Sequence, residues 1–282
     1  MSEASDSVRA VELSTGARLH GLDLGHGDPV VFVHGGGRDY TYWRHQLPPF
    51  VAHYRVVSFS RRYAWPNDNA PIVPDYSPRT DAADLDALCV SLDITRAHFV
   101  GASIGGFACL VLATRRPNLV RSLVLAEPPI MKWTSELAGG AEMYGAFEAS
   151  SFRPAGDAFR AGDPVRAMEL ITDGFLGAGS FARFKQSRRE RLMQGARDWE
   201  AQATSTDTFS TLTRESVAAL RVPSLLLSGG RSTPAHRIVD DELARVLPGA
   251  RRVLAPDASH DVWLDASDQC RDETLRFLAT VP

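Results

Sequence analysis

The feature that most constrains this chain is a serine framed by glycines, placed between an apolar strand-like run and an apolar helix-like run. The run 97–100 (AHFV) leads into Gly101-Ala102-Ser103-Ile104-Gly105-Gly106, and an apolar stretch continues through 107–114. A serine on a sharp strand-to-helix turn needs glycines beside it, because side chains there would collide with the neighbouring strand and helix. The start of the helix also favours developing negative charge. We interpret Ser103 as a nucleophile, against the alternative of an ordinary glycine-rich turn.

Short apolar runs alternate with helical patterns along most of the chain. Continuous apolar runs are typical of strands buried on both faces, and Ser77-Pro78 has the composition of a helix start. The alternation predicts a mostly parallel sheet with helices on both faces. The expected strands are two around the turn at 14–16 within 8–24, followed by 29–33, 55–59, 97–100, 121–126, 222–227 and 252–254.

The alternation lapses between Pro128 and Ser216, where the sequence is helical in pattern and rich in aromatic residues. A chain of 282 residues can form one large domain with an insertion. We therefore predict an α/β core domain made of residues 1–127 and 217–282, with a helical cap inserted over 128–216. Most cap aromatics should form its own core. A few should line a substrate site, which predicts a small-molecule substrate with an apolar portion.

A second glycine-rich segment follows the predicted strand at 29–33, with the sequence His34-Gly35-Gly36-Gly37. Small residues let backbone N–H groups approach a substrate oxygen closely. We predict that Gly36 and Ile104 donate the two N–H groups of an oxyanion hole, and that Gly35 and Gly37 contact the substrate. The alternative is a glycine turn without a donor role.

The two glycine motifs together resemble those of the α/β-hydrolase fold superfamily, and the resemblance covers nearly the whole chain apart from the cap. It implies an eight-stranded, mostly parallel sheet with the active site at the carboxyl ends of the strands. It also implies the order nucleophile, acid, histidine along the chain. His260, after the last predicted strand, then corresponds to the general base, and imidazole has a pKa suited to that task. His236, the other histidine after Ser103, is predicted to lie at the surface of a helix start.

The acid departs from the superfamily pattern. The resemblance places it after the seventh strand, in a stretch like G-x-x-D, but this chain has Gly229-Gly230-Arg231-Ser232 there. We predict that Glu127 replaces it, since it ends the strand expected beside that of Ser103. Locally the chain is similar to lactonases of the zearalenone-opening kind, which place their acid after the sixth strand. The alternative role for Glu127 is a charge at the start of the cap; Asp240, Asp257 and Asp261 are the other candidate acids.

Two further side chains are candidates for the substrate pocket. Arg62 follows the strand at 55–59, so it could contact polar groups of a substrate, although an ion-paired arginine is the commoner outcome. Trp263 lies three residues after His260 and forms either a wall of the pocket or part of the core.

The overall composition excludes several classes of function. The net charge is −3 and no basic block occurs, which argues against nucleic acid as a partner. No apolar run approaches the roughly 20 residues needed to span a bilayer, and 1–10 has no apolar signal-peptide core. Three scattered cysteines (Cys89, Cys109 and Cys270) are typical of core thiols in a reducing compartment, so we expect a cytoplasmic location. No metal-binding spacing is present, so neither metal nor cofactor is expected; a homodimer is left open.

Three functions are compatible with these residues. The first is a serine hydrolase that cleaves a carboxylic ester or a lactone through an acyl-enzyme. The second is a carbon–carbon bond hydrolase that uses the same triad. The third is a ligand receptor or non-hydrolytic scaffold, because fold does not determine function. The contact between Glu127 and His260 separates the enzymes from the receptor, since without it the triad would be incomplete.

Overall fold

A computed structural model describes residues 8–282 of the chain. These residues form a single eight-stranded sheet in the order β1-β2-β4-β3-β5-β6-β7-β8. The strands β1 and β2, and β2 and β4, pair antiparallel, and every other neighbouring pair is parallel. The strands are β1 (Arg9–Glu12), β2 (Arg18–Leu24), β3 (Pro29–Val33), β4 (Arg55–Phe59), β5 (Ala97–Ala102), β6 (Val120–Ala126), β7 (Ser224–Gly229) and β8 (Arg251–Ala255). The predicted mostly parallel, eight-stranded sheet is confirmed.

The central strands are apolar throughout because both faces of the sheet are covered. In β3, Val31 and Val33 point into one hydrophobic core, and Val30 and Phe32 point into another on the opposite face. This division follows from the two-residue period of a strand. The helices at 78–91 and 104–115 contribute to the first core, and those at 47–51 and 267–278 contribute to the second.

Thirteen α-helices occur within residues 8–282. The helix after β4 begins at Pro78, one residue after the predicted cap Ser77. The helices are α1 (Leu47–Val51), α2 (Pro78–Ser91), α3 (Ile104–Arg115), α4 (Gly140–Phe147), α5 (Arg153–Arg160), α6 (Pro164–Leu176), α7 (Ser180–Arg183), α8 (Gln186–Gln194), α9 (Ala196–Ala203), α10 (Arg214–Ala218), α11 (Pro234–Val246), α12 (Val262–Asp265) and α13 (Ser267–Leu278). Neither α1 nor α12 was predicted from the sequence, because both are too short to show a helical period.

The chain between β6 and β7 contains the helices α4 to α10. It includes a small core of its own, to which Phe152, Phe159, Met168 and Ile171 contribute. This segment crosses the carboxyl edge of the sheet, where α6 and α9 face the ends of β3 and β5. Among residues 8–282, none of the helices combines the length and apolar character needed to cross a bilayer.

Candidate active site

The backbone at Ser103 has the sharp turn that the glycine pattern predicts. Ser103 lies between β5 and α3 with φ 50° and ψ −125°, a conformation that costs energy for a residue with a side chain. A Cβ at Gly101 would lie 2.6 Å from the Cα of Gly106, and a Cβ at Gly105 would overlap the carbonyl oxygen of His34. The glycines therefore let the strand and helix approach closely enough to hold the serine at the edge of the sheet.

Three side chains from three separate segments form a continuous chain of hydrogen bonds. His260 Nε2 lies 2.9 Å from Ser103 Oγ, and His260 Nδ1 lies 2.7 Å from Glu127 Oε2. Glu127 directly follows β6 and has φ 46°, so it shares with Ser103 a backbone conformation that is rare outside glycine. Its side chain is buried, with 1% of its surface exposed. The residues predicted as nucleophile, base and acid thus lie in hydrogen-bonding order.

The loop after β7 holds the Glu127 carboxylate in place. The Gly229 N–H donates to Glu127 Oε1 at 2.6 Å, and the Ser232 hydroxyl lies 2.7 Å from both carboxylate oxygens. Ser232 therefore occupies the position of the usual acid and donates a hydrogen bond to the carboxylate that replaces it. This role was not predicted from the sequence, which showed only that a serine stands where the superfamily pattern has the acid. A hydroxyl at that position is nevertheless a signal, because it can bind a carboxylate supplied from elsewhere.

The other three candidate acids have partners away from His260. Asp240 is buried and bonds Ser228 as well as an arginine. Burial raises its pKa to about 6 despite these partners. No group of three or more His, Cys, Asp or Glu side chains suited to a metal ion occurs within residues 8–282. Each of the three candidate acids forms an ion pair with an arginine: Asp240 with Arg252, Asp257 with Arg231, and Asp261 with Arg38.

Two backbone N–H groups beside Ser103 are free to donate to a substrate. Within residues 8–282, neither the Gly36 nor the Ile104 N–H has a hydrogen-bond acceptor. The glycines at 35–37 line the same cleft as Ser103. A Cβ at Gly36 would lie 2.7 Å from the Trp199 ring, so glycine is needed there for packing as well. Gly36 lines the cleft and Ile104 directly follows Ser103, so both N–H groups remain the predicted donors of an oxyanion hole.

His34 supports this glycine loop from below. It is fully buried, its Nε2 accepts from the Arg61 N–H at 2.9 Å, and its Nδ1 lies 2.8 Å from the Gly35 carbonyl oxygen. Because Nε2 accepts, Nδ1 carries the proton and donates to Gly35. Burial, followed by the positive charge of Arg61, lowers the pKa of His34 well below its ordinary value. His34 is therefore a neutral structural group.

The prediction that His236 lies at the surface is wrong. It is 4% exposed, and its ring centroid lies 4.0 Å from that of His260. The first turn of α11 follows β7 at the carboxyl edge of the sheet, which directs this side chain inward. Thr233 at the helix start lies 2.7 Å from His236 Nδ1, and Phe175 packs against both imidazoles. Burial, followed by the proximity of His260, lowers the pKa of His236 well below its ordinary value.

The prediction that Arg62 contacts the substrate is also wrong. Its guanidinium bonds Asp84 of α2 at 2.9 and 2.6 Å, and it does not line the cleft at Ser103. The ion-paired alternative applies because the chain leaves β4 with Arg61 directed toward the glycine loop and Arg62 toward α2. Trp263 lines the cleft but is only 1% exposed and packs edge-on against Trp43. Its ring therefore serves both as a wall of the cleft and as part of the core.

The cleft above Ser103 encloses about 1020 Å³, including its open mouth. Its floor is formed by the glycine loop, Ser103 and His260, and its roof comes from the helices between β6 and β7. Arg38, Tyr42, Thr172 and Arg231 add polar groups to its lining. The apolar roof consists of Met168, Ile171, Phe175, Leu176, Leu192 and Trp199.

Comparison with known proteins places this geometry in a family. A family model described as the alpha/beta hydrolase fold matches residues 28–267. The chain belongs to the alpha/beta hydrolase fold family. Among curated proteins, a stretch of 105 residues is 42% identical to BpoC of Mycobacterium tuberculosis H37Rv, which is provisionally named a non-heme bromoperoxidase. That match covers 36% of this chain and 39% of the relative.

A second curated relative is named as the hydrolase of an unsaturated hydroxy-oxo acid. The 2-hydroxy-6-oxo-2,4-heptadienoate hydrolase of Pseudomonas putida F1 is 31% identical over 135 residues, which cover 44% of this chain and 46% of that protein. The chain thus matches less than half the length of these relatives. Among solved structures, the enol-lactonase from Burkholderia xenovorans LB400 superposes with a TM-score of 0.75 at 21% identity, covering 96% of this chain and 100% of that one. The structural likeness supports the fold.

Proposed function

We propose that this protein is a serine hydrolase that cleaves a carboxylic ester or a lactone. The observation that carries the proposal is the hydrogen-bonded series Ser103–His260–Glu127 beside two free N–H groups. Nucleophilic catalysis by serine requires a base within hydrogen-bonding reach and a third group that orients the base. The contact between Glu127 and His260, whose absence would favour a ligand receptor, is present at 2.7 Å.

The first half of the proposed reaction forms an acyl-enzyme. Ser103 Oγ attacks the carbonyl carbon while His260 Nε2 accepts the hydroxyl proton, and Glu127 stabilises the resulting imidazolium. The carbonyl oxygen becomes an anion that accepts hydrogen bonds from the Gly36 and Ile104 N–H groups. The tetrahedral intermediate then expels the alkoxide, which takes the proton from His260.

The second half reverses these roles with water. His260 removes a proton from a water molecule, whose oxygen attacks the acyl carbon and regenerates Ser103. With an ester, the alcohol leaves before this step, and with a lactone it stays attached to the acyl group. We propose that residues 128–216 act as the cap over this site. Their apolar side chains over the cleft favour a small-molecule substrate with an apolar portion.

Carbon–carbon bond hydrolysis is a second candidate for the same residues. The partial matches to two hydrolases, 31% and 35% identical, favour it, because the hydroxy-oxo acids in their names contain no ester bond and can be hydrolysed only between carbon atoms. In that reaction the leaving group is a carbanion or enolate, so the proton must be delivered to carbon rather than to an alkoxide. A 1,3-diketone-like substrate and an ester of similar size would separate the two reactions directly.

The proposal is tested with p-nitrophenyl esters from acetyl to octanoyl, with lactones, and with the 1,3-diketone-like substrate. We expect sustained turnover by the wild-type protein and a loss of about 10⁶-fold in kcat for Ser103→Ala, as when a serine nucleophile is removed elsewhere. A preference for the longer chains would support an acyl site under the apolar roof. Turnover that survives in Ser103→Ala, or no turnover of any ester or lactone, would overturn the proposal. Turnover of the diketone alone would establish the second candidate.

A further inference from the structure

Helix α9 packs directly on the glycine loop that supplies a proposed oxyanion donor. Gly195, Asp198, Trp199 and Gln202 lie on one face, at the spacing of a helix. A Cβ at Gly195 would overlap the Gly37 carbonyl oxygen, so the two backbones are in close contact. The Trp199 ring covers the glycine loop from the same face.

Asp198 is the polar centre of this contact. Its side chain is completely buried, and its Oδ2 accepts from the Gly37 N–H at 2.7 Å and from Arg61 Nη2 at 2.6 Å. One further bond, from Gln202 Nε2 at 3.0 Å, stays within α9. Most of the hydrogen bonds to this carboxylate therefore come from the sheet domain rather than from its own helix.

Arg61 connects the same loop to the rest of the core. Its Nε lies 3.2 Å from the His34 carbonyl oxygen and its Nη2 lies 3.3 Å from that of Gly35. Its Nη1 bonds Asp81 of α2 at 2.8 Å. Burial alone would lower the pKa of Arg61, but the neighbouring carboxylates, Asp198 first, raise it above its ordinary value, so the guanidinium stays charged.

The buried pair of Asp198 and Arg61 is better explained by the position that it gives the 35–37 loop than by a gain in the stability of the fold. A buried ion pair gains little over apolar residues of similar size, because the cost of removing the charges from water offsets their attraction. What the pair provides is a fixed position for its hydrogen-bond partners. Those partners are the Gly35 carbonyl and the Gly37 N–H, which flank the proposed oxyanion donor on both sides.

We propose that Asp198 is a positioning residue that, with Arg61, holds the 35–37 loop from the side of α9 and so directs the Gly36 N–H toward the substrate oxygen. This inference rests on the proposed serine hydrolase function. It extends that function by making the oxyanion hole depend on the helices between β6 and β7. A mutation far from the reacting atoms that misplaces a catalytic group by about 1 Å can cost about 10²-fold in rate, so the effect is measurable.

The test compares Asp198→Ala with a matched variant of a second buried ion pair. Asp84→Asn is the control, because Asp84 pairs with Arg62 in the core and contacts neither α9 nor the glycine loop. With the best p-nitrophenyl ester, we expect Asp198→Ala to lower kcat by roughly 10- to 100-fold with less than about threefold change in KM. The control should keep its kcat within about threefold of the wild-type value, even when its melting temperature falls as far as that of Asp198→Ala.

A second variant guards against misfolding of the first. Gly195→Ala keeps every charge but pushes a methyl group against the Gly37 carbonyl. It should lower kcat in the same way. The inhibition constant of a trifluoromethyl ketone, whose serine adduct carries an oxyanion, should rise in step with the fall in kcat for both variants.

The outcomes separate this inference from the function beneath it. If Ser103→Ala abolishes turnover but Asp198→Ala and Gly195→Ala behave like Asp84→Asn, the inference is wrong and the serine hydrolase stands. An equal rise in KM with unchanged kcat would also overturn it, since that pattern indicates lost substrate binding. If no ester is hydrolysed, the rate at which a fluorophosphonate labels Ser103 still reports on the loop, and equal rates in all three variants would overturn the inference.

Discussion

The carboxyl ends of β6 and β7 lie side by side and divide one task between them. The end of β6 supplies the carboxylate of Glu127, and the end of β7 supplies the donors, the Gly229 N–H and the Ser232 hydroxyl. In the usual superfamily pattern, the carboxylate itself follows β7. The proposed function needs a carboxylate beside His260, and in this chain the carboxylate in that place comes from the end of β6 rather than from β7.

The difference in reach between the two positions explains the choice of residues. β6 is hydrogen-bonded to β5, so Glu127 starts from the strand beside Ser103. The backbone of Glu127 has a positive φ, and its side chain is directed toward β7, where it accepts from the Gly229 N–H. A glutamate then places Oε2 2.7 Å from His260 Nδ1, and a short hydroxyl at Ser232 is sufficient to hold it there.

Among variants at the ends of β6 and β7, Glu127→Gln should lower activity the most. We expect kcat for the best ester to fall by roughly 10³- to 10⁴-fold, with little change in KM. An amide cannot stabilise an imidazolium, and its NH₂ group can impose the wrong tautomer on the histidine, as seen when a triad aspartate is changed to asparagine. Steady-state kinetics with p-nitrophenyl esters measures both constants.

The control for this variant is its fold, because Glu127 is buried. The near-UV circular dichroism of Glu127→Gln should match that of the wild-type protein. A kcat within threefold of wild type would show that another carboxylate orients His260, and Asp240 would then be the next candidate to test.

The sequence was sufficient for the parts of this site that depend on local backbone geometry. The glycines around Ser103 and the glycines after β3 are forced by close approach, so their spacing identified two segments of the site. Glu127 was found because a carboxylate ending a strand next to β5 can reach the same histidine. The role of Ser232 was missed because it depends on a residue 105 positions earlier in the chain.

Moving the acid from β6 to β7 should change activity by a smaller factor. In the double variant Glu127→Ala/Ser232→Asp, the carboxylate returns to β7. Ser232 Oγ lies 2.7 Å from Glu127 Oε2, which is itself 2.7 Å from His260 Nδ1. A longer aspartate side chain in the vacated space should therefore reach His260. We expect the double variant to recover about 10- to 100-fold in kcat over Glu127→Ala, measured on the same ester.

The matched control for this transfer is Ser232→Ala in the same Glu127→Ala background. It has the same empty space but no carboxylate, so it should recover nothing. The single variant Ser232→Asp, which places two carboxylates in contact, should lose activity instead, because like charges this close destabilise each other. Equal activities of the two double variants would show that β7 cannot deliver the acid in this protein.

The helices between β6 and β7 were the least predictable part of the molecule. Their aromatic residues indicated a helical insertion with its own core, but periodicity alone could not assign any of them to the cleft. Asp198 was missed because its partners, Gly37 and Arg61, are more than 130 positions away in the chain. His236 and Arg62 were misplaced for a related reason: the direction of a side chain in the first turn after a strand is set by tertiary packing.

The smallest effect on activity should come from Asp240→Asn, which tests whether the second buried carboxylate near β7 has any catalytic part. Asp240 bonds Ser228 and Arg252 instead of His260, so kcat should stay within about threefold.

Stability should change in a pH-dependent way, because burial raises the pKa of Asp240 from 3.8 to about 6 in the folded protein. Between these values the folded state holds the proton that the unfolded state has released, so this group's contribution to the free energy of unfolding falls as pH rises. From about pH 4 to pH 7, urea unfolding should show the wild-type protein losing about 2 kcal/mol more than Asp240→Asn. Parallel stability curves would remove the electrostatic argument, and a loss of kcat as large as that of Glu127→Gln would make Asp240, rather than the end of β6, the source of the acid.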